Sequence, residues 1–596
     1  MAMSDVEFQR WRQRLQHAEN LWRDVGWIPD GKEGSADKFS AMNFLDGYRG
    51  KFQKSMNGAM EEADQMVGNI FFSIVNTTLA QVSSKIPDPI LRPLGGPAAD
   101  ADSRRRAWLN EQLVEFMVRE RDIKNETDKA FQCAMLTGAG FIRHGFTPEV
   151  SFENDDGKII ARFKNQTPDL PWGQFMRPWE MRIDPLVNSF NPKQEPRWCA
   201  FYNMHYEESI RDDPNLIFRR DLTATKHFDT RPEGSRGTKI ESGSPDVMSV
   251  YEEWVIYDAQ EQRFFGISPG SDKLIREERP WAFEYGQLPY SYLAFNDQTD
   301  TPFPIPFPQM FWDEQLLYNK VWTVINALVG RMRRLIFANK DAISPEVMDL
   351  LRSPNGFMEV IEAEGGDLAN AIKEIGVAPI DGQLIGLTYQ LKESIREVVG
   401  VSNFDRGQRA NVETAAEANN IAAGGTIARG RLQERYEEFW KNIITVMHRT
   451  FLQSEQARQM VIPIIGKRNL DFLTADDRAQ GFVTVDIGEL QGEFSYDVKL
   501  DSTLRTDPNT ELARTVSGYN VLGGVESSMA NQDYYANRIA ELSGADPEQA
   551  IVSEQVRNQM AAQQQGVEGE RQGDSIPSAA QNAMAQGLRP VPGGAG

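Results

Sequence analysis

The chain has 596 residues, of which 40% are hydrophobic and 25% are charged, and its formal net charge is −22. This length exceeds the size at which one hydrophobic core keeps growing, so several domains are expected. The excess of carboxylates repels nucleic acid, which argues against a protein that holds DNA tightly but not against one past which DNA slides. Solubility alone explains the same charge equally well.

The chain has few cysteines and no long apolar segment. Cys133 and Cys199 are its two cysteines, a number typical of a protein made in a reducing compartment. Residues 1–20 lack the apolar stretch of a signal peptide, and the apolar run 321–330 is too short and too mixed to cross a bilayer. We therefore expect the protein to be made and assembled in the cytoplasm, with no membrane partner.

Helical patterns dominate the first 137 residues. Residues 5–30 are predicted to form an amphipathic helix, 40–86 to be mostly helical, and 101–137 to form one helix that ends at Gly138. Within 69–86, apolar residues at helical spacing predict the buried stripe Phe72, Val75, Leu79 and Val82.

The period then changes to that of strands. Residues 150–163 and 249–267 each predict a β-hairpin within a mixed, strand-rich region, 141–300. Residues 230–246 are a polar loop by composition. Residues 301–308 (TPFPIPFP) form a proline-rich elbow, because alternate prolines forbid a helix.

The strongest helical pattern follows at 309–338. Its apolar stripe comprises Leu317, Val321, Val324, Leu328, Met332 and Leu335. A further set widens that stripe beyond what one packing face needs: Ile325, Val329, Met332 and Ile336. Such a broad apolar face is typical of a helix that also contacts a neighbouring subunit.

A compact insert separates this helix from two more. Residues 345–352 predict a short helix and 357–362 a strand, and a second long helix is predicted at 381–399. A polar break at 400–411 leads to a third helix, 412–457, with a possible kink at Gly424-Gly425.

The last part of the chain returns to strands and then to helix. Residues 482–500 alternate like two strands, 507–557 are predicted to be helical, and the Gln-, Ala- and Gly-rich tail from about 560 is predicted to be disordered. The fold class is therefore α+β and predominantly helical.

No pattern for catalysis or for a cofactor stands out. The chain has no phosphate-binding loop of the Gly-x-x-x-x-Gly-Lys-Ser/Thr type and no Gly-x-Ser-x-Gly elbow, and its five histidines are scattered. The acidic phrase 153–158 fits a hairpin turn better than a calcium loop, because it lacks the full ligand series. We expect no enzyme activity, no catalytic residue, no metal and no cofactor.

The order of these elements resembles the portal proteins of tailed bacteriophages, particularly of short-tailed phages. The resemblance covers about 60–515 and rests on the phrases at 69–89, 129–146, 177–185, 306–328 and 396–424. It implies the following segments: a wing at 1–308, stem helices at 309–338 and 381–399, a clip at 339–380, a tunnel loop at 400–411, a long wing helix with strands at 412–506, a helical crown at 507–557 and a disordered tail at 558–596.

The resemblance also implies function and partners. Portal subunits form a dodecameric ring at one capsid vertex, through which double-stranded DNA is packaged and ejected. Implied partners are the major capsid protein, a scaffolding protein, the large terminase subunit and tail adaptor proteins, and the implied location is the virion.

Two sets of residues are candidates for lining the DNA channel. The tunnel-loop set is Asn403, Asp405, Arg406, Gln408 and Arg409. The stem set is Arg331, Arg333, Arg334 and Lys340. Few cations make transient phosphate contacts rather than a clamp. Alternatively, the first set is an ordinary helix–helix loop, and the second pairs with acidic residues of a neighbouring subunit.

Two other classes of protein remain as alternatives. Another structural virion protein, such as a connector or tail subunit, would share the acidity and the missing active site, but such proteins generally lack long helices around a small insert. An enzyme such as a packaging ATPase or a nuclease would need a phosphate loop or a cluster of carboxylates around metal ions, and neither pattern is present.

Overall fold

The computed structural model divides the chain into two compact units, Met1–Leu504 and Arg505–Gly596. The residues that it describes are 3–28, 39–52, 66–94, 100–146, 150–155, 158–163, 170–213, 216–217, 222–229, 247–280, 287–331, 335–338, 372–375, 381–399, 415–452, 459–463, 482–486, 490–499, 512, 515–520, 535 and 539.

Within these residues the first unit is α+β. Its helices are α1 (Asp5–Asp24), α2 (Ala41–Tyr48), α3 (Ile70–Val82), α4 (Ala101–Glu120), α5 (Ile123–Thr137), α6 (Glu207–Asp212), α7 (Phe307–Arg331), α8 (Gly382–Val399) and α9 (Ala415–Leu452). Its strands are β1 (Pro89–Pro93), β2 (Ala139–Gly145), β3 (Val150–Asp155), β4 (Lys158–Phe163), β5 (Trp172–Met176), β6 (Met181–Ile183), β7 (Trp198–Tyr206), β8 (Lys226–Asp229), β9 (Val247–Asp258), β10 (Arg263–Ile267), β11 (Leu274–Pro280), β12 (Tyr290–Ala294), β13 (Leu335–Ala338), β14 (Ile372–Ile375), β15 (Gln459–Pro463), β16 (Phe482–Asp486) and β17 (Phe494–Val498).

The N-terminal helix packs on the larger sheet. Ser4 caps α1 by accepting a hydrogen bond from the Glu7 N–H, as N-cap serines do. Trp11 is buried, and its ring meets that of Trp198 edge-on at 6.0 Å and that of Phe265 at 5.4 Å. Aromatic burial of this kind fixes α1 to the sheet.

Three sheets carry the strand-rich region. The largest sheet is antiparallel, with the strand order β11-β10-β9-β7-β6. Strand β8 also pairs antiparallel with β9. The β9–β10 pair confirms the hairpin predicted at 249–267, and β3–β4 confirms that at 150–163. The third sheet, β12-β2-β5, lies between the largest sheet's core and the helices.

A second core lies among the long helices. It joins buried side chains of α3, α4, α5, α7, α8 and α9, among them Phe71, Leu113, Phe131, Tyr436 and Trp440. The pair β1–β17 brings residues 89–93 and 494–498 together at this core. The helical core is therefore assembled from segments that are far apart in sequence.

Two of the predicted N-terminal helices differ from the structure. The helix expected at 101–137 is two helices, α4 and α5, because the backbone between them turns through Asp122, whose φ is +48°. Of the described residues between 40 and 86, α2 and α3 are helical, but 66–69 are not. The predicted stripe in α3 is also partly wrong, because Phe72 is half exposed while its neighbour Phe71 is buried.

The long helices also require corrections. The helix predicted at 309–338 begins at Phe307 and ends at Arg331, and 335–338 form strand β13. The helix predicted at 412–457 is α9, which extends from Ala415 to Leu452 and includes Gly424-Gly425 within one continuous helix. The helix predicted at 381–399 is confirmed as α8.

The predictions for the last part of the chain and for several loops are tested by few described residues. The two strands predicted in 482–500 are confirmed as β16 and β17, although β16 pairs with β15 and β17 with β1. In the second unit, residues 515–520 are helical. The predictions for 230–246, 345–352, 357–362 and the tail from 560 lie outside the described residues.

Candidate functional site: the paired helices α7 and α8

Helices α7 and α8 pack along each other. Strand β13 follows α7 and strand β14 precedes α8, and the two strands pair antiparallel from Leu335–Ile375 to Ala338–Ile372. This pairing brings the end of α7 and the start of α8 to one place. The chain between the two helices therefore leaves and returns through a single two-stranded ladder.

The helix pair leaves a set of large apolar side chains exposed. The inner side of α8 buries Leu391, Ile395 and Val399, which are four residues apart. The exposed set comprises Leu317, Val324 and Val329 on α7 and Ile385, Tyr389 and Val398 on α8, with exposed fractions between 42% and 67%. Leu317 and Val324 are seven residues apart on α7 and Ile385 and Tyr389 four apart on α8, so each pair lies on one side of its helix. Below, these four residues are called the outer apolar face. Clusters of exposed apolar residues mark interaction surfaces more often than scattered ones do.

Polar residues occupy the inner side of α7. Gln315, Asn319 and Thr323 are buried and stand four residues apart, so they share one helix face. Gln315 Nε2 donates to the Gly68 carbonyl (2.9 Å), Asn319 Oδ1 accepts from the Gly68 N–H (3.1 Å), and Thr323 Oγ1 accepts from the Met66 N–H (3.0 Å). These hydrogen bonds to the backbone of 66–68 offset part of the cost of burying the three side chains. The apolar residues Leu317 and Val324 consequently point outward.

The first turn of α7 is bent and anchored. Phe311 has non-helical angles (φ −134°, ψ 16°) within α7. The next residue, Trp312, is buried against Phe44 and Phe52, with ring centroids 5.2 and 5.4 Å away. Gly47 makes this packing possible, because a Cβ there would lie 2.8 Å from the Trp312 ring. The position of α7 is therefore fixed by the N-terminal region.

The predicted channel residues are not among the side chains that the structure describes. Arg331 is the last residue of α7, and its side chain is not among those that the structure describes. The same holds for the rest of the stem set, Arg333, Arg334 and Lys340, and for the tunnel-loop set, Asn403, Asp405, Arg406, Gln408 and Arg409. Within the described residues, Val324 lies on the outer apolar face, Val329 is exposed elsewhere on α7, and Ile325 is buried. The breadth of the predicted stripe pointed to this face, but the exposed residues of α8 were missed.

A buried ionic cluster lies in the largest sheet. The Glu253 side chain is fully buried and accepts from Arg276 Nε (2.7 Å) and Nη2 (3.1 Å), and His205 Nε2 lies 2.8 Å away. Burial alone raises the pKa of Glu253, but the hydrogen bonds from His205 and Arg276 outweigh it and hold the pKa at about 2. The cluster joins β7, β9 and β11, and its Glu253–Arg276 contact crosses the intervening strand β10 at Gly266, so we interpret it as structural.

Two buried histidines are likewise structural. His448 on α9 donates from Nε2 to Asn110 Oδ1 (2.7 Å) and accepts at Nδ1 from Tyr496 OH (2.9 Å), an assignment that the partners' chemistry dictates. Burial, together with the charge of Arg449, lowers its pKa to about 3. Burial also lowers the pKa of His144 to about 3. Both rings therefore stay neutral and join neighbouring elements.

Comparison with protein-family models and with curated proteins finds no match for this chain. In the part of the chain that the structure describes, no three His, Cys, Asp or Glu side chains are grouped so that they could hold a metal ion. No described helix is long and apolar enough to cross a membrane. Cys133 and Cys199 are both buried free thiols. The outer apolar face of α7 and α8 is thus the feature on which a functional interpretation rests.

Proposed function

We propose that the protein is the portal subunit of a tailed bacteriophage, which assembles into a dodecameric ring at one capsid vertex. Double-stranded DNA passes through the ring during packaging and ejection, without sequence-specific contacts. The subunit itself is not an enzyme and carries no cofactor. In this proposal, 339–380 form the clip and 400–411 the tunnel loop, whose Arg406 and Arg409 touch passing phosphates.

The observation that carries the proposal is the outer apolar face. A closed ring requires a head-to-tail interface, in which one surface of a subunit meets a different surface of the next. Two packed helices that leave Leu317, Val324, Ile385 and Tyr389 exposed offer such a surface to a neighbour. Burial of one such side chain contributes roughly 1.5–3 kcal/mol, and a ring repeats that contribution at every interface.

Two further features support the proposal. The ladder β13–β14 makes the chain leave and re-enter the helix pair at one place, as a clip at the end of a two-helix stem requires. The net charge of −22 disfavours a strong hold on DNA, which suits a channel through which DNA must move.

The partners and the location belong to the same proposal. The large terminase subunit and then the tail adaptor proteins would dock at the clip, while the major capsid protein and a scaffolding protein would surround the ring during assembly. The ring would be assembled in the host cytoplasm and reside in the virion.

The test is the mass of the purified assembly. One chain is 67.4 kDa, so twelve chains give about 0.8 MDa (12 × 67.4). We expect a single species of that mass by light scattering after size exclusion, and rings with a central hole in electron images of the same peak. A low-mass species that hydrolyses ATP or cuts DNA would overturn the proposal.

Variants of the outer apolar face test its role in the ring. Val324→Glu and Tyr389→Glu place a charge on side chains that are already exposed, so the subunit should fold while the ring is lost. The matched control is Val6→Glu on α1, whose side chain is 64% exposed and lies outside the face. Rings of full mass from the double variant Val324→Glu/Tyr389→Glu would refute the assignment of this interface.

A further inference from the structure

A second surface, on the N-terminal helix, has a different chemistry. A cavity of about 130 Å³ opens between α1, the start of β7 and the turn after β6. Its floor includes the buried rings of Trp11 and Trp198, and Leu186 stands at its edge with 77% of its surface exposed. Below, this cavity is called the α1 groove. It is built from elements other than α7 and α8, so its test does not depend on the ring.

The exposed charges around the α1 groove are cationic. Arg14 and Arg197 both line it and are exposed. Neither arginine forms an ion pair with any residue that the structure describes. Two guanidinium groups thus remain available at the edge of an apolar cavity.

The two carboxylates that line the α1 groove do not cancel this charge at its surface. Asp184 is 3% exposed and accepts from the Leu186 N–H (3.1 Å). Asp258 is 5% exposed, accepts from the Gln260 N–H (3.1 Å) and lies 3.5 Å from Arg263 Nε. Both acids are therefore bound inside the protein, and a ligand meets the guanidinium groups.

One of the arginines is already held in place. The Arg14 guanidinium carbon lies 4.3 Å from the centre of the Trp11 ring, in a cation–π contact. A stacked guanidinium keeps its N–H groups directed outward in its own plane, where they match the two oxygens of a carboxylate. Less conformational freedom is then lost when a carboxylate binds.

We propose that the α1 groove binds an acidic peptide segment of a partner protein, with one aliphatic or aromatic side chain seated in the cavity. The apolar side chain contacts Trp11, Trp198 and Leu186. Carboxylates on either side of it pair with Arg14 and Arg197. An apolar centre with a polar, charge-complementary edge is the usual composition of a peptide-binding surface.

The experiment uses the full-length protein and an array of hexapeptides, each with a central Leu, Phe or Trp between acidic residues. The strongest peptide is then labelled with fluorescein, and its affinity is measured by anisotropy. We expect the double variant Arg14→Glu/Arg197→Glu to bind at least about tenfold more weakly, and the wild-type affinity to fall as salt rises. Leu186→Ser should also weaken binding, because it removes the apolar edge.

A matched control separates the α1 groove from general electrostatics. Arg104→Glu/Arg106→Glu on α4 changes the net charge by the same amount at two other exposed arginines, and should leave the affinity unchanged. The peptide with Gln in place of its acidic residues should not bind. The proposal is overturned if no array member binds, if the α4 double variant loses as much affinity as the groove variant, or if Arg14→Glu/Arg197→Glu binds as well as the wild type. Self-association of the protein provides one more test. If Arg14→Glu/Arg197→Glu abolishes self-association and the peptide does not inhibit it, the occupant of the groove is a second copy of the chain and the proposal is overturned.

Discussion

Replacing Glu253 by Gln removes the negative charge from the buried cluster in the largest sheet. The amide keeps the shape of the side chain, but it no longer compensates the guanidinium of Arg276, whose side chain is only 15% exposed. His205 loses its charged acceptor at the same time. Breaking a buried pair from one side leaves an uncompensated charge, which is strongly destabilising.

The size of the effect follows from the pKa of Glu253. The fall of the pKa from 4.5 to about 2 corresponds to roughly 3 kcal/mol in favour of the ionised form in the folded protein. Breaking a buried pair typically costs about 3–5 kcal/mol. We therefore expect Glu253→Gln to lower the free energy of unfolding by about 3 kcal/mol at neutral pH.

The direction of the pKa shift determines how the stabilisation by Glu253 changes with pH. Because the pKa of Glu253 is lower in the folded than in the unfolded chain, its contribution is present above about pH 4.5 and is lost as the pH falls towards 2. Urea unfolding followed by tryptophan fluorescence, at neutral pH and at about pH 4, measures both quantities. Glu19→Gln is the control, since its exposed pair with Arg23 contributes less than about 1 kcal/mol. A loss below about 1 kcal/mol for Glu253→Gln at neutral pH would refute the reasoning.

Two further predictions, one on the contact between residues 66–68 and α7 and one on the buried histidine, are tested by the same unfolding assay. Gly68→Ala should lower the free energy of unfolding by about 1–3 kcal/mol, because its Cβ would lie 2.4 Å from Tyr318 Cε1. In the control Gly386→Ala the new Cβ meets no atom within 4 Å and should stabilise α8 by up to about 1 kcal/mol. Equal effects of the two substitutions would contradict the packing of 66–68 on α7. Burial lowers the pKa of His448 to about 3 in the folded protein. The stability that the neutral ring provides is therefore fully present above about pH 6.5 and is lost as the pH falls towards 3. His448→Gln should therefore reduce the pH dependence of unfolding between about pH 6 and pH 4 by up to about 1.4 kcal/mol per pH unit, and an unchanged slope would show that the ring takes up its proton in the folded state.

Local signals in the sequence were sufficient to predict several helices and strands. The helix at 381–399 and the hairpins at 150–163 and 249–267 were predicted with nearly the right bounds, because hydrophobic period and turn residues act over short distances. The end of α5 at Gly138 was also predicted, since a glycine takes up the positive φ (+95°) that the helix end requires.

Long-range contacts explain the elements that were missed. The inner face of α7 buries Gln315, Asn319 and Thr323, which hydrogen-bond to the backbone of 66–68, and no pattern within 309–338 indicates that partner. Strand β13 reads as the end of a helix until β14 pairs with it. The break at Asp122 has neither glycine nor proline to signal it. The proposed channel residues lie beyond the described side chains, so the sequence alone supports them.

The ladder β13–β14 separates the helix pair from the chain that connects its strands. Four residue pairs hold the two ends of that connection together, whatever its length or composition. The entropy of closing a loop grows only slowly with the number of residues, so an insertion between 338 and 372 adds little to the free energy of folding. The connecting segment can therefore diverge, or be exchanged by protein engineering, to suit a new docking partner while α7 and α8 keep their packing.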